Sequence, residues 1–160
     1  MIFPQFYAQL KNIHFISGAT EYLEEAPYTN RNYPRIVLNA SVGNSPQTLW
    51  VVDTGAPWCV IDPYFASCVD LQYEELYRLE RPMMIRGCSF SGRLVKTSIK
   101  LVARWGDDLD VESTLFLPDA EEGAEGEWNI PNFLGLSGFL NHLKFAINPT
   151  NKIFYFGQSF

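Results

Sequence analysis

A single acidic residue, Asp53, stands between two apolar runs, Leu49-Trp50-Val51-Val52 before it and Trp58-Cys59-Val60-Ile61 after it. β-Branched and aromatic residues at this density favour strands, and Thr54-Gly55 between the runs suits a tight turn. The pattern therefore delivers a carboxylate to a turn at the edge of a core. An ionised carboxylate in that position is costly unless it is hydrogen-bonded, paired with another group or protonated. An Asx-type turn meets that requirement with no chemistry at all. A site that shares a proton on the acid meets it equally.

The sequence around Asp53 extends the β pattern in both directions. Arg35 to Val42 reads as a strand, Gly43-Asn44-Ser45-Pro46 as a turn, and Gln47 to Val52 as the returning strand. Asp62-Pro63 is a helix start, with a capping carboxylate and a proline at the first helical position. Further on, Val95, Thr97, Ile99 and Leu101 alternate with Lys96, Ser98 and Lys100, the period of a strand with one buried face. Val111 to Leu117 is another strand. The C-terminal part holds a short helix-like segment, Ser137 to His142. A final hairpin follows, with arms Leu143 to Ile147 and Lys152 to Phe156 around Asn148-Pro149-Thr150-Asn151. Many short strands with regular turns and two brief helices describe an all-β, barrel-like domain over residues 28–160. Residues 1–27 differ in pattern and read as an N-terminal extension packed on that domain or bridging two copies of it. Gln9 to Ile16 within it suits a helical turn or an arm.

Composition excludes several classes. The chain has 160 residues, 47% of them hydrophobic, enough for one domain with a real core and too few for two. Its formal charge of −6 argues against nucleic acid or an anionic membrane as a partner. The acidic stretch Asp119 to Glu127 reads as a solvated loop. Cys59, Cys68 and Cys88 are odd in number and lack metal-ligand spacing, which speaks against a disulfide scaffold or a zinc site. Free thiols, the absence of a basic, apolar leader pattern and the absence of a membrane-length apolar run together give a cytoplasmic expectation.

The segment Ser41 to Ile61 resembles the N-terminal signature of aspartic peptidases: a strand, a Gly-x-x-Pro turn, an apolar strand, then Asp53-Thr54-Gly55. Ala56 after the glycine is the form typical of retropepsins. Phe133-Leu134-Gly135 resembles the family's second element, two large apolar residues and a glycine leading into a short helix. Gly87-Cys88-Ser89-Phe90-Ser91-Gly92 lies where the family has its flap, a hairpin covering the substrate. The likeness spans about residues 33–157. It implies a closed retropepsin-like β-barrel and an aspartic endopeptidase with Asp53 as catalytic carboxylate. Thr54, Gly55 and Ala56 would form the supporting loop, and Phe90 would close over the site.

That chemistry needs two carboxylates sharing one proton, and the chain carries one Asp-Thr-Gly. The expectation is a homodimer that acts on extended polypeptide, with no metal and no cofactor. Two other readings are set against it. A retropepsin fold that has lost catalysis would serve as a dimeric peptide-binding or assembly module. A Cys–His nucleophile pair would use Cys59, Cys68 or Cys88 with His14 or His142, although no signature surrounds any of them.

Overall fold

The computed structural model describes residues 17–123 and 128–159. The expected arm at Gln9 to Ile16 and the end of the acidic stretch, residues 124–127, lie outside the described residues. Strands dominate: β1 (Gly18–Glu21), β2 (Val37–Val42), β3 (Thr48–Asp53), β4 (Cys59–Val60), β5 (Glu74–Arg78), β6 (Met83–Ile85) and β7 (Cys88–Phe90). They continue with β8 (Gly92–Leu101), β9 (Trp105–Gly106), β10 (Leu109–Pro118), β11 (Asn132–Gly135), β12 (Leu143–Asn148) and β13 (Ile153–Gln158). Among the described residues, one α-helix, α1 (Pro63–Cys68), and two 3-10 turns, Ala120–Gly123 and Leu140–His142, accompany the strands.

Among the described residues, six strands close a barrel in the order β10-β4-β11-β3-β2-β8, with β8 pairing back to β10 over its whole length. The other edge of β8 is divided. Residues 99–101 meet β2, and residues 93–96 meet β5 outside the ring. Closure removes the exposed edges that an open sheet of these strands would leave. Inside lie Leu38, Trp50, Ile61, Ile99, Leu101, Leu115 and Leu134, all fully buried. Each such side chain contributes roughly 1.5–3 kcal/mol relative to an exposed one. The alternation in β8 holds in part, because Thr97, expected on the buried face, is half-buried like Lys96 and Ser98 beside it. Val95, Ile99 and Leu101 are buried, while Lys96 and Lys100 reach Glu112 and Asp110 across the pair with β10.

A second sheet, ordered β12-β13-β1-β9, stands beside the barrel. Its centre is β13, flanked by β12 and by β1 from the N-terminal stretch, with Ala19 opposite Tyr155. The start of α1 forms as its residues dictate. Asp62 Oδ1 accepts the backbone N–H groups of Tyr64 and Phe65 at 2.8 and 3.2 Å, with Pro63 in the first turn. No helix among the described residues is long and apolar enough to cross a membrane.

Candidate active site

Asp53 is the last residue of β3, and the chain turns immediately after it. Its Oδ1 accepts the Gly55 N–H at 2.9 Å, and its backbone carbonyl accepts the Ala56 N–H at 3.2 Å. The carboxylate is half-buried, while Thr54 and Gly55 are exposed on the rim. The Asx-turn geometry is thus present, and it satisfies one of the two carboxylate oxygens.

The neighbouring strand is β11, which runs parallel to β3 in the register Phe133↔Val51, Leu134↔Val52 and Gly135↔Asp53. Parallel neighbours require a long crossover, and here it is most of the chain between residues 53 and 132. The pairing brings Phe133-Leu134-Gly135 directly beside the Asp53 turn. A side chain at Gly135 would place its Cβ 2.3 Å from the Trp58 carbonyl oxygen, so backbone packs where any other residue needs space. Beyond Gly135 the two loops are joined by hydrogen bonds from Leu136 N–H to the Ala56 carbonyl (2.7 Å) and from Ser137 and Gly138 N–H to the Pro57 carbonyl (both 2.9 Å). Asn132 Oδ1 also accepts the Asp62 N–H at 2.8 Å, tying the other end of β11 to the cap of α1. The loop that carries Asp53 is therefore clamped at several points.

Above the turn lies a cleft of about 630 Å³. Asp53, Thr54, Gly55, Ala56 and Phe133 line it; Leu134 and Gly135 support it from behind, buried in the wall. Its opposite side is the hairpin formed by β6 and β7, and here the boundaries expected from sequence are corrected. Ile85 pairs with Cys88, so the loop is only Arg86-Gly87, both at positive φ (51° and 82°). Positive φ at both central residues is the hairpin geometry that matches strand twist. The cleft is lined by Met83, Met84, Ile85 and Arg86, not by the 87–92 segment. Gly87, Cys88 and Ser89 are exposed. Phe90 sits at the base of the hairpin with its ring centroid 5.0 Å from that of Trp128, as an ordinary packing aromatic. Ser91 precedes β8, and Gly92 opens it. A Cβ on Gly92 would meet the Leu117 carbonyl oxygen at 2.5 Å. Two glycines bracketing a polar stretch look like one loop in sequence. Only Gly87 serves a turn, whereas Gly92 serves close packing.

Arg35, just before β2, also lines the cleft, a role that no motif in the sequence marks. Its only sequence mark is its place ahead of the strand that pairs with β3. The cysteines play no part in the cleft wall. Cys59 is fully buried, and burial pushes its thiol up to about 12, opposed only in part by a hydrogen bond from the Gly135 backbone. A thiol held protonated is a poor nucleophile. His142 Nδ1 donates to the Glu112 carbonyl at 2.6 Å, on the far end of β10. The acidic stretch begins with more than a solvated loop, because Asp119 is held by both Arg78 and Arg93.

Compared with known proteins, the chain matches no protein-family model and no curated sequence. Among solved structures it is similar to a retropepsin-like aspartic protease from Rickettsia conorii. The TM-score is 0.50 and the identity 17%, over 88% of this chain and 91% of that one. The fold is retropepsin-like. At this level of identity the likeness concerns the fold, and chemistry resides in the residues of the cleft. In this retropepsin-like barrel, Asp53 is, among the described residues, the acidic residue lining a cleft that the β6–β7 hairpin borders.

Proposed function

We propose that the chain is one half of a homodimeric aspartic endopeptidase with Asp53 as its catalytic carboxylate. The observation that carries this reading is the parallel register of β11 on β3, which sets Gly135 against Asp53 and braces the acid on a rigid turn at the floor of the cleft. A group that must hold or release a proton at a defined point benefits from such bracing. In the proposed dimer, Asp53 from each copy faces the other across a water. Two carboxylates that close cannot both ionise, so they share one proton. The ionised member removes a proton from the water as it attacks the scissile carbonyl, and the protonated member donates to the carbonyl oxygen. The half-buried Asp53 and the exposed Thr54 and Gly55 support an active-site loop completed by a second copy.

The β6–β7 hairpin acts as the flap in this reading. Its two-residue turn and its cleft-facing Met83 to Arg86 suit a cover that lies along an extended polypeptide. The test is cleavage of an unfolded protein substrate, followed by mass spectrometry, with wild type and Asp53→Asn compared. The expected outcome is a loss of at least about 10²-fold on substitution. Equal cleavage by both sinks the role of Asp53. No cleavage by either, with peptide still bound, would leave the fold as a binding module.

A further inference from the structure

The cleft differs in charge from the molecule around it. The chain carries a formal −6, yet among the described residues the cleft wall holds one acid, Asp53, and two arginines, Arg35 and Arg86. Arg31, Arg78, Arg93 and Arg104 each meet a carboxylate elsewhere on the surface. Among the described residues, no ion pair engages Arg35 or Arg86. Arg81 shares that state but stands outside the cleft wall.

The fold fixes Arg35 through its backbone and Arg86 through its side chain. Ile36, next to Arg35, accepts the Val52 N–H at 2.8 Å, which fastens the backbone beside Arg35 to β3 one residue before Asp53. Arg86 donates from Nη1 to the Tyr28 carbonyl at 2.7 Å, and its guanidinium carbon lies 5.5 Å from the centre of the Phe133 ring. Both contacts hold the group in place without neutralising it. The turn itself does not ask for arginine. At a φ of 51° asparagine or glycine is the easier residue.

We infer, resting on the reading of Asp53 as the catalytic carboxylate, that the cleft selects polypeptide segments with an acidic side chain near the cleaved bond, and that Arg35 and Arg86 bind that side chain. A guanidinium offers a planar pair of donors that matches a carboxylate. The acidic surface elsewhere repels such a segment, so its favourable approach is at the cleft. Arg35 and Arg86 are specificity residues in this assignment, and the bond-breaking chemistry stays with Asp53.

The test separates binding from turnover. The full-length Asp53→Asn protein is titrated into dye-labelled, unstructured octapeptides that differ at one position, carrying Glu, Gln or Lys, with that position moved along the peptide. Anisotropy is read at low and moderate salt. The expected result is about fivefold tighter binding of the Glu peptide than the Gln peptide at one or two positions, with Lys weakest and the preference shrinking with salt. Arg35→Gln or Arg86→Asn, the latter chosen to suit the turn, reduces that ratio, and Arg35→Glu reverses it toward Lys. Equal binding of Glu and Gln peptides, no binding of either, or a preference untouched by the arginine substitutions overturns the inference. Wild-type protein is incubated with the same peptides in parallel. Absence of any cleavage there counts against the peptidase reading alone, because the binding ratio is measured without turnover.

Discussion

At the scale of single residues, the site depends on atoms that are missing as much as on those present. Gly135 faces the Trp58 carbonyl so closely that a methyl group cannot enter without moving backbone. Gly135→Ala is expected to cost at least about 1–3 kcal/mol in urea unfolding, the range for forcing extra atoms into a packed site. Leu134, fully buried beside it, should cost about 2–5 kcal/mol as Leu134→Ala. Cys59 gives a different kind of expectation. Its thiol stays protonated in the fold up to about pH 12, whereas an unfolded chain releases the proton near 9.0. Its contribution is therefore complete below pH 9.0 and is lost as pH rises toward about 12, by at most about 1.4 kcal/mol per pH unit. A thiol reagent at neutral pH should label the exposed Cys68 and Cys88 quickly in native protein, and Cys59 only after denaturation. Rapid labelling of all three would contradict the burial.

At the scale of elements, two devices hold strands of the barrel and its flank together. One is the β3–β11 pair described above. The other is the clamp on Asp119, just past the end of β10. Arg78 from β5 and Arg93 from β8 both reach it, and Arg93 also bonds Glu75 at 3.0 Å. The Arg78 hydrogen bond above all, with Arg93 as a second cation, holds the Asp119 carboxyl below its ordinary range. A depressed carboxylate stabilises the fold at pH values above its unfolded range, and that support is lost as pH falls through its folded value. Asp119→Asn should lower the thermal midpoint by about 1–3 °C near neutral pH, as expected for an exposed network. The difference from wild type should vanish in acid; a difference that persists there would point to packing instead of charge.

At the scale of the whole molecule, the proposed catalysis is a statement about assembly. One chain supplies one Asp-Thr-Gly, so a dilution series should show activity per chain falling once the concentration drops below the dimer dissociation constant. Sedimentation at the same concentrations should show monomer appearing in parallel. A monomer that retains full activity would exclude the shared dyad. The second sheet belongs to the same question. The N-terminal β1 already occupies one side of β13, which leaves β12 and the short β9 as the sheet's outer strands among the described residues. A copy that pairs by extending this sheet would do so at β12 or β9.

Much of this molecule was legible in local chemistry. The strand–turn–strand around Asp53, the cap at Asp62 and the alternation in β8 each follow from residues within a few positions of one another. Side-chain periodicity, β-branching and capping act over that range. The acid at the turn and the glycine after it were likewise visible, because a single tight turn specifies both. Which residues face Asp53 was decided elsewhere. The parallel register that sets Gly135 beside it joins residues some eighty positions apart, and no local propensity encodes that pairing. The hairpin differs from its sequence expectation for the same reason, since Gly87 and Gly92 are alike in sequence, while in the fold Gly87 takes a positive φ in the turn and Gly92 is pressed against Leu117 and Phe116. Arg35 and Arg86 enter the cleft through that packing too. The sequence alone determined that an acid would stand at a β turn, while barrel closure determined what surrounds it, because long-range burial selects among local turns that are otherwise equivalent.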